Sequence, residues 1–140
     1  MQQKSVVGYS TDEVCLIIED SEFDQLMMSR VIGRLRGRMR VKVANSLQAA
    51  REALAQGRVS LILLDNNLPD GIGANFAMEL ASDPNHSRTP VIMVSDWPTP
   101  FMWEKAAAAG VLYVVNKAEF GIQYVEHALK SRMRKQPLAS

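Results

Sequence analysis

Short apolar runs alternate with amphipathic stretches along the chain. Residues 14–18, 59–64, 91–94 and 111–115 are almost entirely apolar and have the length of buried strands. Residues 40–43 instead alternate basic side chains with valine, which is the pattern of a half-exposed strand. Apolar residues at helical spacing separate these runs, so the pattern predicts five consecutive strand–helix units.

Capping signals and glycines predict where the helices begin and end. Ser21 begins the first helix, in capping-box spacing with Asp24, and Gly37 ends it. A second capping signal at Asn45 begins the next helix, which ends at Gly57. The apolar face of the first helix is predicted to consist of Phe23, Met27, Val31 and Leu35.

Alternating strands and helices favour an α/β fold, in which a parallel sheet is covered by helices on both faces. Right-handed crossovers leave few topologies, and the doubly wound, flavodoxin-like order 2-1-3-4-5 of a five-stranded sheet fits the pattern. It places the alternating second strand at an edge and the apolar first, third and fourth strands in the centre. The fifth strand is more apolar than its edge position requires. We expect one domain over residues 1–140, with a core at about 13–133.

The composition is that of an ordinary globular protein. The chain has 140 residues, of which 47% are hydrophobic and 22% charged, and its net charge is +1. No apolar run approaches the roughly 20 residues that span a bilayer. Residues 1–11 lack the apolar stretch of a secretory signal, so we expect a cytoplasmic protein. The single cysteine, Cys15, excludes a disulfide framework and is expected to be buried.

Six basic residues lie close together, in and before the second strand. No aromatic residues alternate with them and no recognition motif accompanies them. We therefore expect these residues to form a solvated surface and not a nucleic-acid binding site. The six are Arg30, Arg34, Arg36, Arg38, Arg40 and Lys42.

Polar residues follow the predicted strands at the points where these end. Glu19 and Asp20 follow the first strand, Asp65 ends the third, Ser95 ends the fourth and Lys117 follows the fifth. The carboxyl ends of the strands in a doubly wound sheet share one edge, where ligands bind. Since the first and third strands are neighbours in the predicted order, three carboxylates should crowd together beside a hydroxyl and an ammonium group.

Crowded carboxylates repel one another and need a cation or a proton. Mg²⁺ is the natural candidate, because it prefers oxygen ligands and is commonly bound by one or two carboxylates together with phosphate oxygens. A carboxylate is also a nucleophile that forms an aspartyl-phosphate. The metal and Lys117 would neutralise charge on the phosphoryl oxygens, and Ser95 would donate a hydrogen bond to one of them.

Four segments stand out: LIIEDSE at the end of the first strand, LILLDNNLPDGIG around the third, TPVIMVSD in the fourth and VVNK at the end of the fifth. Through these segments the chain resembles the receiver domains of response regulators, of the CheY-like type, over about residues 13–133. All four occur in order and at the spacing of the family. The resemblance implies the flavodoxin-like (βα)5 fold, cytoplasmic two-component signalling and a phosphoprotein.

The resemblance also implies roles for individual residues. Asp65 would accept the phosphoryl group, Ser95 would be the switch hydroxyl that moves towards it, and Lys117 would contact it. Asp20 would bind Mg²⁺ directly, and Glu19 would hold it through water. Including the backbone carbonyl of Asn67, the metal ligands would be Glu19, Asp20, Asp65 and Asn67.

The function implied is that of a stand-alone response regulator in a phosphorelay. It would receive phosphoryl from a histidine kinase or a phosphotransfer protein, and it would catalyse its own phosphorylation and dephosphorylation without being a conventional enzyme. Because no effector domain is evident, output would be by protein–protein contact, including a homodimer through the face of the fourth helix, fifth strand and fifth helix. Four hydrophobic residues suggest that surface: Trp97, Phe101, Met102 and Trp103.

Three positions depart from the family pattern. Lys117 is followed by Ala118 instead of a proline with a cis bond, so the bond is either trans in a reshaped loop or locally strained. Asp96 replaces the small residue that usually follows the switch hydroxyl, and its charge is expected to weaken phosphoryl binding or to change the metal site. Val114 occupies the position where an aromatic residue often reports phosphorylation, and Tyr113 should point to the opposite face.

These departures leave two alternatives. One is a pseudo-receiver, a binding module of the same fold that does not use phosphate; the intact acids and Lys117 argue against it. The other is a phosphatase with an aspartyl nucleophile. Such enzymes generally need a second acid two residues after the nucleophile, and Asn67 occupies that place.

Overall fold

The computed structural model describes residues 13–37 and 39–134, so that Arg38, residues 1–12 and the predicted basic tail beyond 134 lie outside the description. None of the described helices is long and apolar enough to cross a membrane. The elements of the main fold are β1 Val14–Ile18, α1 Glu22–Ile32, β2 Arg40–Ala44, α2 Leu47–Gln56, β3 Leu61–Leu64, α3 Gly73–Ala81, β4 Val91–Ser95, α4 Pro100–Ala108, β5 Tyr113–Asn116 and α5 Ile122–Arg134.

The five long strands form one parallel sheet in the order β2-β1-β3-β4-β5, which confirms the predicted topology. Ile18 at the end of β1 lies beside Leu64 at the end of β3. The backbone N–H of Asp65 donates to Ile18 O over 3.0 Å. This register brings the residues that follow the two central strands to the same point of the sheet edge.

Apolar side chains fill the space on both faces of the sheet. Alternate residues of β5 point to opposite sides, so that Val114 packs with α2, α3 and α4 and Val115 packs with α1 and α5. Helices therefore cover both faces of this edge strand, which explains its apolar sequence. Cys15 is fully buried on the side of α1 and α5, as expected.

Several predicted boundaries are wrong by a few residues. Helix α1 ends at Ile32 with Gly33 as its C-cap, not at Gly37. Helix α2 has Ser46 as its N-cap, not Asn45, because the hydroxyl of Ser46 accepts from the backbone N–H of Ala49 over 3.0 Å. The first residue on the predicted apolar face of α1, Phe23, is exposed over 80% of its surface and belongs to no core.

The segment after β3 contains a short antiparallel hairpin of Asn67–Leu68 with Gly71–Ile72. Asp70 lies in its turn. The Asp70 carboxylate accepts from the backbone N–H groups of Leu47 and Gln48, over 2.8 and 2.9 Å. The turn thereby caps the N-terminus of α2, where unpaired backbone N–H groups favour a negative charge.

Gly73, the first residue of α3, lies against the backbone carbonyl of Asp65. A Cβ atom at this position would overlap sterically with that carbonyl oxygen and would lie 3.0 Å from Asn66 Cα. Two hydrogen bonds to Asn66 hold the start of α3 in this position. Gly73 N donates to Asn66 O over 2.7 Å, and Ala74 N donates to Asn66 Oδ1 over 2.9 Å. Only glycine fits between the end of β3 and the start of α3.

Replacing Gly73 with alanine is therefore expected to lower the free energy of unfolding by about 2 kcal/mol or more, because backbone atoms must move. Gly57→Ala is the matched control. Gly57 has an extended backbone and nothing within 4 Å of an added Cβ, so its replacement should change stability by less than about 1 kcal/mol. Urea denaturation measures both, and equal effects of the two variants would contradict the assignment of a close contact at Gly73.

Candidate functional site at the carboxyl edge of the sheet

Three carboxylates converge where β1 and β3 end. Oxygen atoms of Glu19, Asp20 and Asp65 lie within 4.8 Å of one another. Glu19 is 1% exposed and Asp65 4% exposed, whereas Asp20 is on the surface. The structure thus brings together the three acidic side chains predicted from the sequence. The fourth predicted metal ligand, Asn67, is exposed in the adjoining hairpin.

The ammonium group of Lys117 lies among four carboxylates. Its Nζ atom is 2.8 Å from Asp24 Oδ2 and 2.9 Å from Glu19 Oε1, but 3.8 Å from Asp65 Oδ1 and 3.7 Å from Asp96 Oδ2. The sequence predicted a contact of Lys117 with a phosphoryl group on Asp65. The structure pairs the lysine more closely with Asp24, a residue that sequence reasoning treated only as part of a capping box.

Burial raises the pKa of both central acids. For Asp65 it outweighs the charge of Lys117 and the backbone N–H groups of Asn66 and Asn67, which lower the pKa. For Glu19 it outweighs the hydrogen bond from the Ser21 backbone and the interaction with Lys117. Burial lowers the pKa of Lys117, but the hydrogen bond to Asp24 and the negative charges of Glu19 and Asp65 prevail and raise it above its usual range.

One oxygen of Glu19 lacks a hydrogen bond. Oε2 accepts from the Ser21 backbone N–H over 2.9 Å, whereas the buried Oε1 has no hydrogen-bond partner among the described residues. Lys117 Nζ lies near Oε1, but the angle between them is outside hydrogen-bond geometry. A buried carboxylate oxygen of this kind, beside two more carboxylates and no soft ligand, suits a hard divalent cation such as Mg²⁺. The donor set therefore fits the predicted metal.

Ser95, the predicted switch hydroxyl, is 2% exposed and lies beside Asn116 in the pairing of β4 with β5. Asn116 joins the two loops that follow these strands. Its Nδ2 donates to Asp96 O over 2.9 Å, and its Oδ1 accepts from the Ala118 backbone N–H over 2.8 Å. Sequence reasoning did not single out Asn116, because an asparagine at a strand end is common in turns.

The Asn116 contact accounts for the departure at Ala118. No peptide bond in the described ranges is cis, so the bond after Lys117 is trans and the loop is reshaped into a short 3-10 turn, Lys117–Glu119. Proline has no backbone N–H and would not donate to Asn116 Oδ1. The first of the two predicted arrangements of this loop is therefore correct.

Tyr113 lies on the face of β5 opposite to Val114, as predicted. Val114 packs among the core residues on the side of α4, whereas Tyr113 contacts α5. Its ring meets Tyr124 edge-on at 5.2 Å between centroids, and its hydroxyl is hydrogen-bonded to Nδ1 of His127. The aromatic side chain of Tyr113 therefore points away from Ser95 and α4.

The four hydrophobic residues predicted as a surface cluster separate in space. Met102 is buried in the core, whereas Trp97, Phe101 and Trp103 are 83%, 66% and 51% exposed. Phe101 lies on the side of α4 that faces α3, because Lys105, one turn later, contacts its ring and donates to Asn75. Trp103 is rotated about 200° from Phe101 around the helix. It therefore faces the side of β5.

The raised pKa of Asp65 gives a testable dependence of stability on pH. The folded state binds the proton of the Asp65 carboxyl group more tightly than the unfolded state does. Protonated Asp65 therefore contributes to the free energy of unfolding at low pH, and this contribution is lost as pH rises through the raised pKa. Asp65→Asn, which carries no charge, should raise the free energy of unfolding at pH 7 by about 1 kcal/mol. The gain should shrink as pH falls towards 3.8, the ordinary pKa of the side chain.

Urea denaturation between pH 7 and pH 4 measures this difference. Glu22→Gln, the same loss of charge at an exposed position of α1, is the control and should stay within about 0.5 kcal/mol of wild type. A destabilised Asp65→Asn at pH 7 would contradict the conclusion that burial disfavours the charged form of Asp65 in the fold.

The fold is shared with many solved receiver structures. The Mn²⁺-bound form of response regulator Rcp1 is 22% identical with a TM-score of 0.70, and the alignment covers 87% of this chain and 93% of that one. The phosphorylated cyanobacterial phytochrome response regulator RcpA is 22% identical, with a TM-score of 0.70 and 91% and 96% covered. The signal receiver domain of an HD domain-containing protein from Pseudomonas fluorescens Pf-5 is 16% identical, with a TM-score of 0.79 and 96% and 98% covered.

No curated protein matches the chain in sequence. The sequence model of the response regulator receiver domain, by contrast, matches residues 15–129, which include every residue of the acidic cluster and Lys117. Because this match extends over most of the 140 residues, the chain belongs to the family of response regulator receiver domains of two-component signalling.

Proposed function

We propose that the chain is a single receiver domain whose Asp65 accepts a phosphoryl group, in the presence of Mg²⁺, from a histidine kinase or a phosphotransfer protein. The observation that carries the proposal is the buried Asp65 carboxylate between Glu19, Asp20 and the ammonium group of Lys117. This is the combination of nucleophile, metal ligands and cation that phosphoryl transfer to a carboxylate requires.

The chemistry follows from these side chains. An oxygen of the Asp65 carboxylate forms the bond to phosphorus while the bond from phosphorus to the donor's imidazole nitrogen breaks, and the imidazole leaves with the electron pair. Lys117 neutralises charge on the phosphoryl oxygens, and the Ser95 hydroxyl donates to one of them. Mg²⁺, held by Glu19, Asp20, Asp65 and the Asn67 carbonyl, would supply further positive charge there.

Two structural relatives agree with the proposal. One of the similar solved structures is described as Mn²⁺-bound and another as phosphorylated. We propose metal binding and phosphorylation for this chain as well, because its own Glu19, Asp20 and Asp65 converge. A pseudo-receiver is the second candidate, favoured by one contact: Lys117 is closer to Asp24 than to Asp65.

Incubation with Mg²⁺ and acetyl phosphate should add one phosphoryl group to the intact protein. The added mass should be absent without Mg²⁺ and absent in Asp65→Asn. Asp70→Asn is the matched control, since this neighbouring aspartate is exposed and caps α2 instead of facing the cluster, and it should still be phosphorylated. Mass spectrometry measures the product, and a phosphoryl group that remains in Asp65→Asn would refute the role of Asp65.

Output through the surface around Trp103 is the second part of the proposal. Trp103 on α4 and Leu112 directly before β5 are large apolar side chains that are exposed, and their burial would favour self-association or binding of a downstream protein.

Phosphorylation is expected to strengthen a homodimer through this surface. Trp103→Ala should weaken the association at least about tenfold, the scale of a central interface aromatic, whereas Phe101→Ala on the opposite side of α4 should leave it unchanged. Sedimentation of the phosphorylated proteins measures the dimer. Equal dimerisation of wild type and Trp103→Ala would exclude this surface as the homodimer interface.

A further inference from the structure

Lys117 is held by a carboxylate that is neither the acceptor nor a proposed metal ligand. Asp24 Oδ2 lies 2.8 Å from Lys117 Nζ, a full ångström closer than Asp65 Oδ1 at 3.8 Å. The contact with Asp24 is a hydrogen bond, whereas that with Asp65 is too long to be one. In this conformation Lys117 therefore interacts first with Asp24 and Glu19.

The position of Asp24 is well fixed. It lies in the first turn of α1, where its backbone N–H donates to the Ser21 hydroxyl over 3.3 Å. The Lys117 side chain is only 9% exposed and that of Asp24 18% exposed, so water screens their attraction weakly. A fixed and partly buried carboxylate competes effectively for the ammonium group.

We propose that Asp24 is a positioning residue that holds Lys117 away from Asp65 in the unphosphorylated protein. The proposal rests on the function proposed above and deepens it by naming a residue that controls how readily Lys117 is released. Lys117 exchanges the carboxylate of Asp24 for an oxygen of the phosphoryl group when Asp65 is phosphorylated. Asp24 therefore slows the reaction by stabilising the lysine in its resting position.

Asp24→Asn removes the charge and keeps the shape of the side chain. We expect it to accelerate phosphorylation of Asp65 by acetyl phosphate about threefold to tenfold, because Lys117 becomes available to the phosphoryl oxygens. Glu22→Gln is the matched control: it removes the same charge from the same turn of α1 at an exposed position, and its rate should equal that of wild type. Asp96→Asn, at 3.7 Å from Lys117 and with its side chain 60% exposed, should accelerate the reaction less than Asp24→Asn.

Asp24→Asn could also accelerate phosphorylation by reducing the repulsion of an anionic phosphodonor. The two explanations differ in whether the acceleration requires Lys117. In a Lys117→Met background, Asp24→Asn should no longer accelerate phosphorylation by the expected factor, whereas relief of repulsion would persist there. A rate for Asp24→Asn equal to or below that of wild type, or an acceleration that survives in Lys117→Met, would overturn the proposal.

A measurement without phosphodonor distinguishes failure of this proposal from failure of the proposed function. In urea denaturation without Mg²⁺, Asp24→Asn should lower the midpoint in the wild type, where it removes the partner of Lys117. It should raise the midpoint in Lys117→Met, where only repulsion among acids remains. Equal shifts in the two backgrounds would overturn the proposal even if Asp65 is phosphorylated. Another outcome is possible: the midpoint shifts are opposite in the two backgrounds, but the wild type takes no phosphoryl group on Asp65. This result would refute the proposed function and the release of Lys117 from Asp24, and it would support only the pairing of Asp24 with Lys117.

Discussion

The crowding of carboxylates around one ammonium group is the constraint on which the site depends. Glu19 and Asp65 are almost fully buried, and burial disfavours their charged forms, a cost that Lys117 and backbone N–H groups offset in part. Carboxylates that are crowded in this way favour a cation between them or a bound proton.

The rest of the fold holds that arrangement in place. The pairing of β1 with β3 brings the acids together, and the start of α3 lies directly against the carbonyl of Asp65 at Gly73. Asp70, at the tip of the hairpin, binds the N-terminus of α2. The segment that follows Asp65 is thus anchored at two helices.

The loops after β4 and β5 are joined by the side chain of Asn116. Asn116 binds the backbone of both loops, and the N–H of Ala118 that it uses would be absent from a proline. This link connects the segment that carries Ser95 and Asp96 with the one that carries Lys117. With Val114 in the core and Tyr113 turned towards α5, β5 places no aromatic ring on the face of the sheet that α4 covers.

The sequence by itself determined the sheet order and the membership of the acidic cluster. Glu19, Asp20, Asp65 and Lys117 follow strands whose carboxyl ends must meet in a parallel sheet, so their proximity follows from local pattern alone. Only the tertiary structure decided the partners of Lys117, since Asp24 lies 93 residues away along the chain and its distance depends on how α1 packs beside α5. The cap that Asp70 supplies to α2 and the separation of Phe101 from Trp103 likewise depend on contacts between elements. Periodicity assigns a residue to a face of its own helix, but it does not reveal which distant side chain will lie opposite.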